Sequence, residues 1–256
     1  MPSKKERTIA IIPARIGSTR LPRKVLLPIG GKPMIQVIYE NALDAKLVDE
    51  AWVATDSEEV KGAVEAFNGK AMMTPAEGIH SGSDRVAFAA RTIQHDIAVN
   101  LQGDEPFMTG RMIDEAIKPM LENKDIAVST LCREITRPEE LDEPGVVKVV
   151  RDLEGNGMYF SRARIPYPRN PEGIKYFEHM GIYAFRKDFL QQFVKWEPTV
   201  LEKVESLEML RMIEHGVKLK VPVTREDTTH YLSIDTAEDL ARANEYMKIR
   251  TKKGRR

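Results

Sequence analysis

The sequence predicts an α/β fold, a doubly wound and mostly parallel sheet with an antiparallel layer added in the second half. In the first half, apolar runs of four to six residues alternate with stretches of helical periodicity. Those runs are rich in Ile, Val and Ala without strict alternation, which suits strands covered on both faces. Strand–helix repetition suits parallel strands joined by right-handed crossovers. Near residue 144 the rhythm changes, and strands begin to follow one another around Gly- and Asn-containing turns.

In order, residues 8–14 (TIAIIPA) read as a buried strand. A helix follows within residues 30–47, with Pro33 at its first position and Ile35, Ile38, Ala42 and Ala45 down one face. Strand 50–55, helix 58–67, strand 70–74, helix 83–93, strand 97–102, helix 110–123 and strand 126–132 continue the alternation. Residues 146–169 read as a hairpin running into a Pro-rich loop, and 179–186 as a further strand before a helix at 187–195. Residues 199–216 read as one amphipathic helix, with Leu201, Val204, Leu207, Leu210 and Ile213 inward and Gly216 as its stop. A strand at 217–224 and a last helix at 235–249, opened by Thr236 and Asp239, complete the chain. One domain over residues 1–256 is expected, with its added layer at about 144–225 and a solvated basic tail at about 250–256.

The 39 Lys and Arg residues balance 39 Asp and Glu, so the formal charge is zero. That speaks against nucleic acid as the main partner, because phosphate-backbone binding leaves a basic footprint. No stretch approaches the ~18 consecutive apolar residues of a membrane span. Residues 1–15 carry charge and only a short apolar run, unlike a secretory signal. A cytoplasmic location is expected. Cys132 is the sole cysteine, which excludes an internal disulfide and a Cys-based zinc cluster, and its setting marks it as a small buried hydrophobe. His95 and His215 read as surface positions.

Chemistry concentrates in three stretches. In TIAIIPARIGSTRLPRKVL (8–26) an apolar run is followed at once by Arg15, Arg20, Arg23 and Lys24, while Gly17, Pro22 and Pro28 prevent a long helix. The loop therefore leaves the C-terminal end of a strand, where open α/β sheets bind ligands. It is either a solvated charged loop or an anion site in which backbone N–H groups near Gly17 and Ser18 join Arg15, Arg20 and Lys24 around a phosphate. Neither GxxxxGK[ST] nor GxGxxG is present. In VNLQGDEPFM (99–108), Asp104 and Glu105 follow a buried strand and suit either a helix cap or a divalent cation that bridges phosphates. In SIDTAEDL (233–240), Asp235 suits the same two roles. Backbone N–H groups at His80, Ser81 and Gly82, just before a helix, suit an anion or a base edge.

With these stretches, and with GGKPMI, VATD, HSGSDR, VKVV, GMYFSRARIPY, HMGIYAF and LEKVESLEMLR in the same order, the chain resembles the CMP-Kdo synthetases, the 3-deoxy-manno-octulosonate cytidylyltransferases. The resemblance implies a Rossmann-like nucleotidyltransferase fold. It also implies transfer of CMP from CTP to the anomeric hydroxyl of 3-deoxy-D-manno-octulosonate (Kdo) for lipopolysaccharide biosynthesis, with Mg²⁺ as cofactor and a homodimer formed through the second-half layer. The roles it implies are Pro13, Ala14, Arg15, Ser18, Lys24, Ser81, Gly82, Arg85 and Gln102 at the nucleotide, with Gln102 beside the reaction centre. Asp104 and Asp235 would hold the metal and act in catalysis with Lys24 and Arg15. Arg162, His179, Tyr183, Glu205 and Glu208 would face the sugar. The alternatives are a cytidylyltransferase for a modified or different ulosonic acid, such as 8-amino-Kdo or a sialic-acid-like sugar, and an inactive nucleotide-binding homologue.

Three motifs depart from the family's usual pattern, at four positions. Ser233 stands where Gly is usual and Ala237 where Pro is usual, in the Asp235 motif. Arg23 stands where Gly is usual in LPGKPL. Met209 replaces a usual Gln four residues after Glu205, on the same face of the helix expected there, and points to an altered sugar.

Overall fold

The computed structural model describes residues 6–17 and 20–253. The chain divides into two compact units, Met1–Asp114 with Glu226–Arg256, and Glu115–Arg225. Strand β1 (Thr8–Ala14) leads to a short 3-10 turn at Lys24–Leu26, a small hairpin of β2 (Pro28–Ile29) and β3 (Lys32–Pro33), and helix α1 (Met34–Asp44). Then come β4 (Glu50–Thr55), α2 (Glu58–Ala66), β5 (Ala71–Met73), α3 (Gly82–Ala90), β6 (Ile97–Leu101) and α4 (Gly110–Glu122). The second unit holds β7 (Val128–Glu134), β8 (Lys148–Arg151), β9 (Gly157–Ser161), β10 (Phe177–Arg186), α5 (Lys187–Phe193), α6 (Val200–Glu205) and α7 (Met209–Glu214). The last helix, α8 (Ala237–Lys253), belongs to the first unit.

In the first unit the strands are parallel in the order β5-β4-β1-β6, with Ile9 of β1 opposite Glu50 of β4 and Ala98 of β6. β6 is wholly buried and β1 is buried at every position but Pro13, as the continuous apolar runs require. From β1 the chain steps outward through β4 to β5, then crosses back to lay β6 on the other side of β1. The loops leaving β1 and β6 therefore diverge, and a crevice at such a switch point is where an open α/β sheet places its ligand. Ile35, Ile38, Ala42 and Ala45 are buried as expected, although Pro33 ends β3 and the helix begins at Met34. At the far end, Asn244 of α8 accepts from Gly30 N (3.0 Å) and donates to Pro28 O (3.0 Å), fastening the last helix to the β2–β3 hairpin. The helix runs through most of the expected basic tail, whose residues 254–256 lie outside the described residues.

The second unit is antiparallel: β10 pairs with both β7 and β8, and β8 with β9. The expected hairpin is β8–β9. β7, expected to extend the parallel alternation, instead runs antiparallel to β10. Its continuous apolar run reported burial on both faces, which carries no information about partner direction. The strand expected at 217–224 exists only as isolated bridges, Ser129 to Lys220 and Cys132 to Val223. Pro222 has no N–H to extend a ladder, and its carbonyl accepts instead from Cys132 N at 3.0 Å. Cys132 is buried, and burial pushes its thiol up to about 12, so it packs as an inert side chain. His95, expected at the surface, is buried with Nδ1 2.8 Å from Ile93 O.

The helix expected over 199–216 is two helices. Ser206 adopts the left-handed conformation (φ 52°, ψ 51°), and Leu207 N bonds back to Glu202 O at 3.2 Å, the closure that glycine usually supplies at a helix end. Arg211 reaches back across the break to Glu202 (Nε to Oε2, 2.7 Å) and holds the two helices together. Val204, expected inward, is exposed. Among the described residues no helix is long and apolar enough to cross a membrane.

Arg23 also lies in the left-handed region (φ 57°, ψ 27°), where it turns the chain into the Lys24–Leu26 turn. A glycine suits this conformation, and the side chain gains only an exposed ion pair with Glu59 in return. The expected outcome for Arg23→Gly is a gain of about 0.5–1 kcal/mol in unfolding free energy, read by chemical denaturation. A loss of stability would show that the left-handed arginine carries no strain.

Candidate active site

The site grows from the two divergent loops. Arg23 swings Lys24 inward, where Nζ lies 2.8 Å from Asp104 Oδ2 and 3.0 Å from Asp235 Oδ1. Arg20 Nη2 meets the same Asp235 oxygen at 3.0 Å. Burial alone would lower the Lys24 pKa, but the two carboxylates outweigh it and the net shift is upward. Asp104 comes from the turn after β6 and Asp235 from the entry to α8, and Ile234 N donates to Asp104 O at 2.9 Å to join those loops. Asp239 Oδ2 accepts from Asp235 N (3.2 Å) and Thr236 N (3.0 Å), and Asp239 N donates to Thr236 Oγ1 (3.1 Å), the reciprocal cap expected at the start of α8.

These groups open on a cavity of about 360 Å³, whose lining residues all belong to the first unit. Gly103 lets the turn after β6 approach the end of β1: a Cβ there would stand 2.9 Å from Pro13 O. Gln102 Nε2 donates to Asn100 Oδ1 (3.1 Å), and Asn100 Nδ2 to Ser83 Oγ (3.2 Å), a chain that orients the Gln102 amide. At the start of α3, Asp84 Oδ2 accepts from both His80 N and Ser81 N at 3.0 Å, while Ser81 Oγ accepts from Asp84 N. Two of the N–H groups expected to be open for a ligand are thus spent on an aspartate, which makes this helix end a poor place for phosphate. Arg85 is buried and pairs with Asp56 Oδ2 at 2.8 Å and with the Thr74 hydroxyl. Arg15 is exposed and makes no ion pair among the described residues.

Of the nucleotide residues expected from sequence, Pro13, Arg15, Lys24, Ser81, Gly82, Arg85 and Gln102 line the cavity with Asp104 and Asp235. Ala14 is buried in β1 and does not line it. Ser18 lies outside the described residues. Asp56 was missed; its position at the end of the VATD strand, one more C-terminal strand end, was the available signal. Two carboxylates that converge on one ammonium present hard oxygen donors at the spacing of a single cation. Mg²⁺ uses one or two protein carboxylates with phosphate oxygens and water, so this donor set fits it.

The residues expected at the sugar lie in the second unit. Glu205 accepts from Ser161 Oγ (2.6 Å) and Arg162 N (3.0 Å); burial raises its pKa, and these bonds with the Arg162 charge more than reverse the shift. Arg162 does not present an open fork. Its guanidinium closes on the carbonyls of Glu205 (2.8 Å), Pro144 (2.9 Å) and Ser206 (3.3 Å), capping the broken end of α6. His179 Nε2 lies 2.9 Å from Thr130 Oγ1, whose proton goes to Ile182 O at 2.5 Å, so Nε2 carries the imidazole hydrogen. Burial lowers the His179 pKa to about 3 and keeps the ring neutral. Tyr183 packs against it at 5.3 Å, its hydroxyl held protonated by burial and by the Glu208 charge. Met209 is buried at the start of α7, and the break at Ser206 removes the shared helix face with Glu205 on which its expected sugar contact rested.

The family model described as cytidylyltransferase matches residues 9–219. The chain belongs to this family. A cytidylyltransferase of Chloroherpeton thalassium, named 3-deoxy-manno-octulosonate cytidylyltransferase, is 44% identical over 239 residues, covering 92% of this chain and 96% of its own. One of Shewanella piezotolerans, named 8-amino-3,8-dideoxy-manno-octulosonate cytidylyltransferase, is 44% identical over 234 residues, covering 90% and 94%. Among solved structures, a CMP:2-keto-3-deoxy-manno-octonic acid synthetase complexed with CTP superposes with a TM-score of 0.89 at 41% identity, covering 95% of this chain and 99% of that one.

Two outcomes follow from this geometry. Gly103→Ala forces the turn after β6 away from Pro13 O, and kcat/KM for CTP should fall about 100-fold, the cost of an ångström-scale misplacement, in a protein that still folds. Unchanged kinetics would mean that the close approach is dispensable. The second outcome concerns Glu178 and His179, neighbours on β10. Burial raises Glu178 to about 7, against the opposing pull of Arg133, so its contribution to stability falls as pH climbs from about 4.5 to about 7. His179, lowered to about 3, contributes in the opposite sense, with stability gained as pH rises towards about 6.5. The two offset one another in the wild type. In Glu178→Gln, unfolding free energy measured between pH 4.5 and 6.5 should rise with pH more steeply, by up to about 1.4 kcal/mol per unit. An unaltered slope would show that Glu178 does not titrate in that window.

Proposed function

We propose that this chain transfers CMP from CTP to the anomeric hydroxyl of Kdo, releasing pyrophosphate, as a Mg²⁺-dependent cytoplasmic homodimer that supplies lipopolysaccharide biosynthesis. The observation that carries the reading is Lys24 held between Asp104 and Asp235 at the mouth of a cation-lined cavity. It is supported by the relatives' names and by the likeness to a synthetase solved with CTP.

The anomeric oxygen attacks the α-phosphorus in line, a P–O bond forms, the bond to the bridging pyrophosphate oxygen breaks, and the hydroxyl proton leaves to solvent. No protein nucleophile takes part, so catalysis rests on positioning and on neutralising charge. Arg15, Arg20 and Lys24 hold the triphosphate and stabilise the departing pyrophosphate. Asp104 and Asp235 would hold Mg²⁺, which would neutralise phosphate charge and lower the pKa of the attacking hydroxyl. Gln102, oriented through Asn100, presents its amide at the reaction centre. Recognition of the sugar is assigned to the second unit, where Glu205 and Glu208 can accept from sugar hydroxyls and neutral His179 and Tyr183 offer a ring surface. Arg162 serves there by fixing Glu205. Met158, Val200 and Val204 of that unit are exposed apolar side chains that a dimer contact would bury.

The test is pyrophosphate release from CTP with and without Kdo and Mg²⁺. Release should need both, cease with EDTA, and fall about 100-fold or more in Asp235→Asn. Release with 8-amino-Kdo in place of Kdo would move the substrate, as the Shewanella relative's name allows, and keep the reaction. Silence with every ulosonic acid would leave a nucleotide-binding homologue.

A further inference from the structure

Glu105 is a buried carboxylate that the chemistry above does not use. It directly follows Asp104, the residue is 5% exposed, and Oε1 accepts a hydrogen bond from Ser233 Oγ at 2.7 Å. Ser233 stands two residues before Asp235. The loops that carry the two aspartates are therefore joined twice, by main chain from Ile234 N to Asp104 O and by side chain from Ser233 to Glu105.

Each loop is also braced within itself, by Glu105 N to Gln102 O (3.3 Å) and Met108 N to Glu105 O (3.1 Å) on one and by the Asp239 cap on the other, and Lys24 bridges the two aspartates themselves. A hydroxyl donating to a buried carboxylate makes a short, strong bond, so this tie is stiff. Mg²⁺ demands oxygen ligands at about 2.0–2.1 Å in near-octahedral geometry, and a site with only two protein carboxylates has little means of adapting if their spacing drifts. Ser233 is not among the residues with positive φ, so a serine sits without strain where the family pattern favours glycine. A glycine there could not form the bond.

We propose that Ser233, acting through Glu105, is a positioning residue that sets the spacing of Asp104 and Asp235 and thereby the affinity of the site for its divalent cation. This rests on the assignment of Asp104 and Asp235 as the cation's holders.

The experiment measures Mn²⁺ binding to the full-length enzyme by the EPR signal of free Mn²⁺, together with the Mg²⁺ concentration that half-saturates pyrophosphate release. Ser233→Ala should raise the Mn²⁺ dissociation constant and the half-saturating Mg²⁺ concentration about 10-fold, the usual cost of losing support behind a metal ligand, while kcat at saturating Mg²⁺ and the thermal midpoint hardly change. Ser233→Gly should behave alike, and Ser233→Thr, which keeps the hydroxyl, should bind the cation as the wild type does. Wild-type cation affinity in Ser233→Ala and Ser233→Gly, with affinity lost in Asp235→Asn, overturns the positioning role alone. Wild-type Mn²⁺ affinity in Asp235→Asn overturns the metal assignment, and this proposal with it.

Discussion

The contact on which the loops of the first unit converge is the Lys24 ammonium between two carboxylates. Asp104 and Asp235 would repel one another at this range, and one cation between them turns repulsion into a cross-link. That cross-link joins the turn after β1, the turn after β6 and the entry to α8. The sheet order makes it feasible, because β1 and β6 are neighbours whose outgoing loops part at the switch point. Gly103 then lets two stretches of main chain close to a distance that no side chain would permit.

Much of this was legible in the residues. The cationic loop after an apolar run, the carboxylates after strand ends and the cap of α8 are local patterns, and local patterns survive in sequence. What the sequence could not express was convergence: Lys24 and Asp235 stand 211 positions apart, and spacing along a chain is silent about meeting in space. Nor does an apolar run state a strand's direction, which is why β7 reads as parallel and is antiparallel. The partner of Arg85, Asp56, was hidden for a similar reason, since the ion pair crosses from the end of β4 to α3.

The second unit misleads at Ser206. Periodicity of Leu and Val runs straight through 199–216, and no glycine or proline interrupts it. The break is made by tertiary contacts: Glu205 is drawn to Ser161 and Arg162, Arg162 covers the freed carbonyls, and Arg211 reaches back to Glu202. An arginine expected to greet a ligand instead completes a helix end, as a cation near a helix C-terminus does favourably. Functional side chains borrowed from a motif can thus be one bond removed from the function assigned to them.

The first unit is assembled from both ends of the chain, and this bears on how the enzyme is made. A ribosome releases the cationic loop early, then the whole second unit, and only afterwards Asp235, Asp239 and Asn244. Until that last segment emerges, Lys24 lacks one of its two carboxylates, the β2–β3 hairpin lacks its clasp, and the turn after β6 lacks its ties to Ser233 and Ile234. A chain stopped before that segment therefore lacks both the second carboxylate at Lys24 and the clasp on the hairpin.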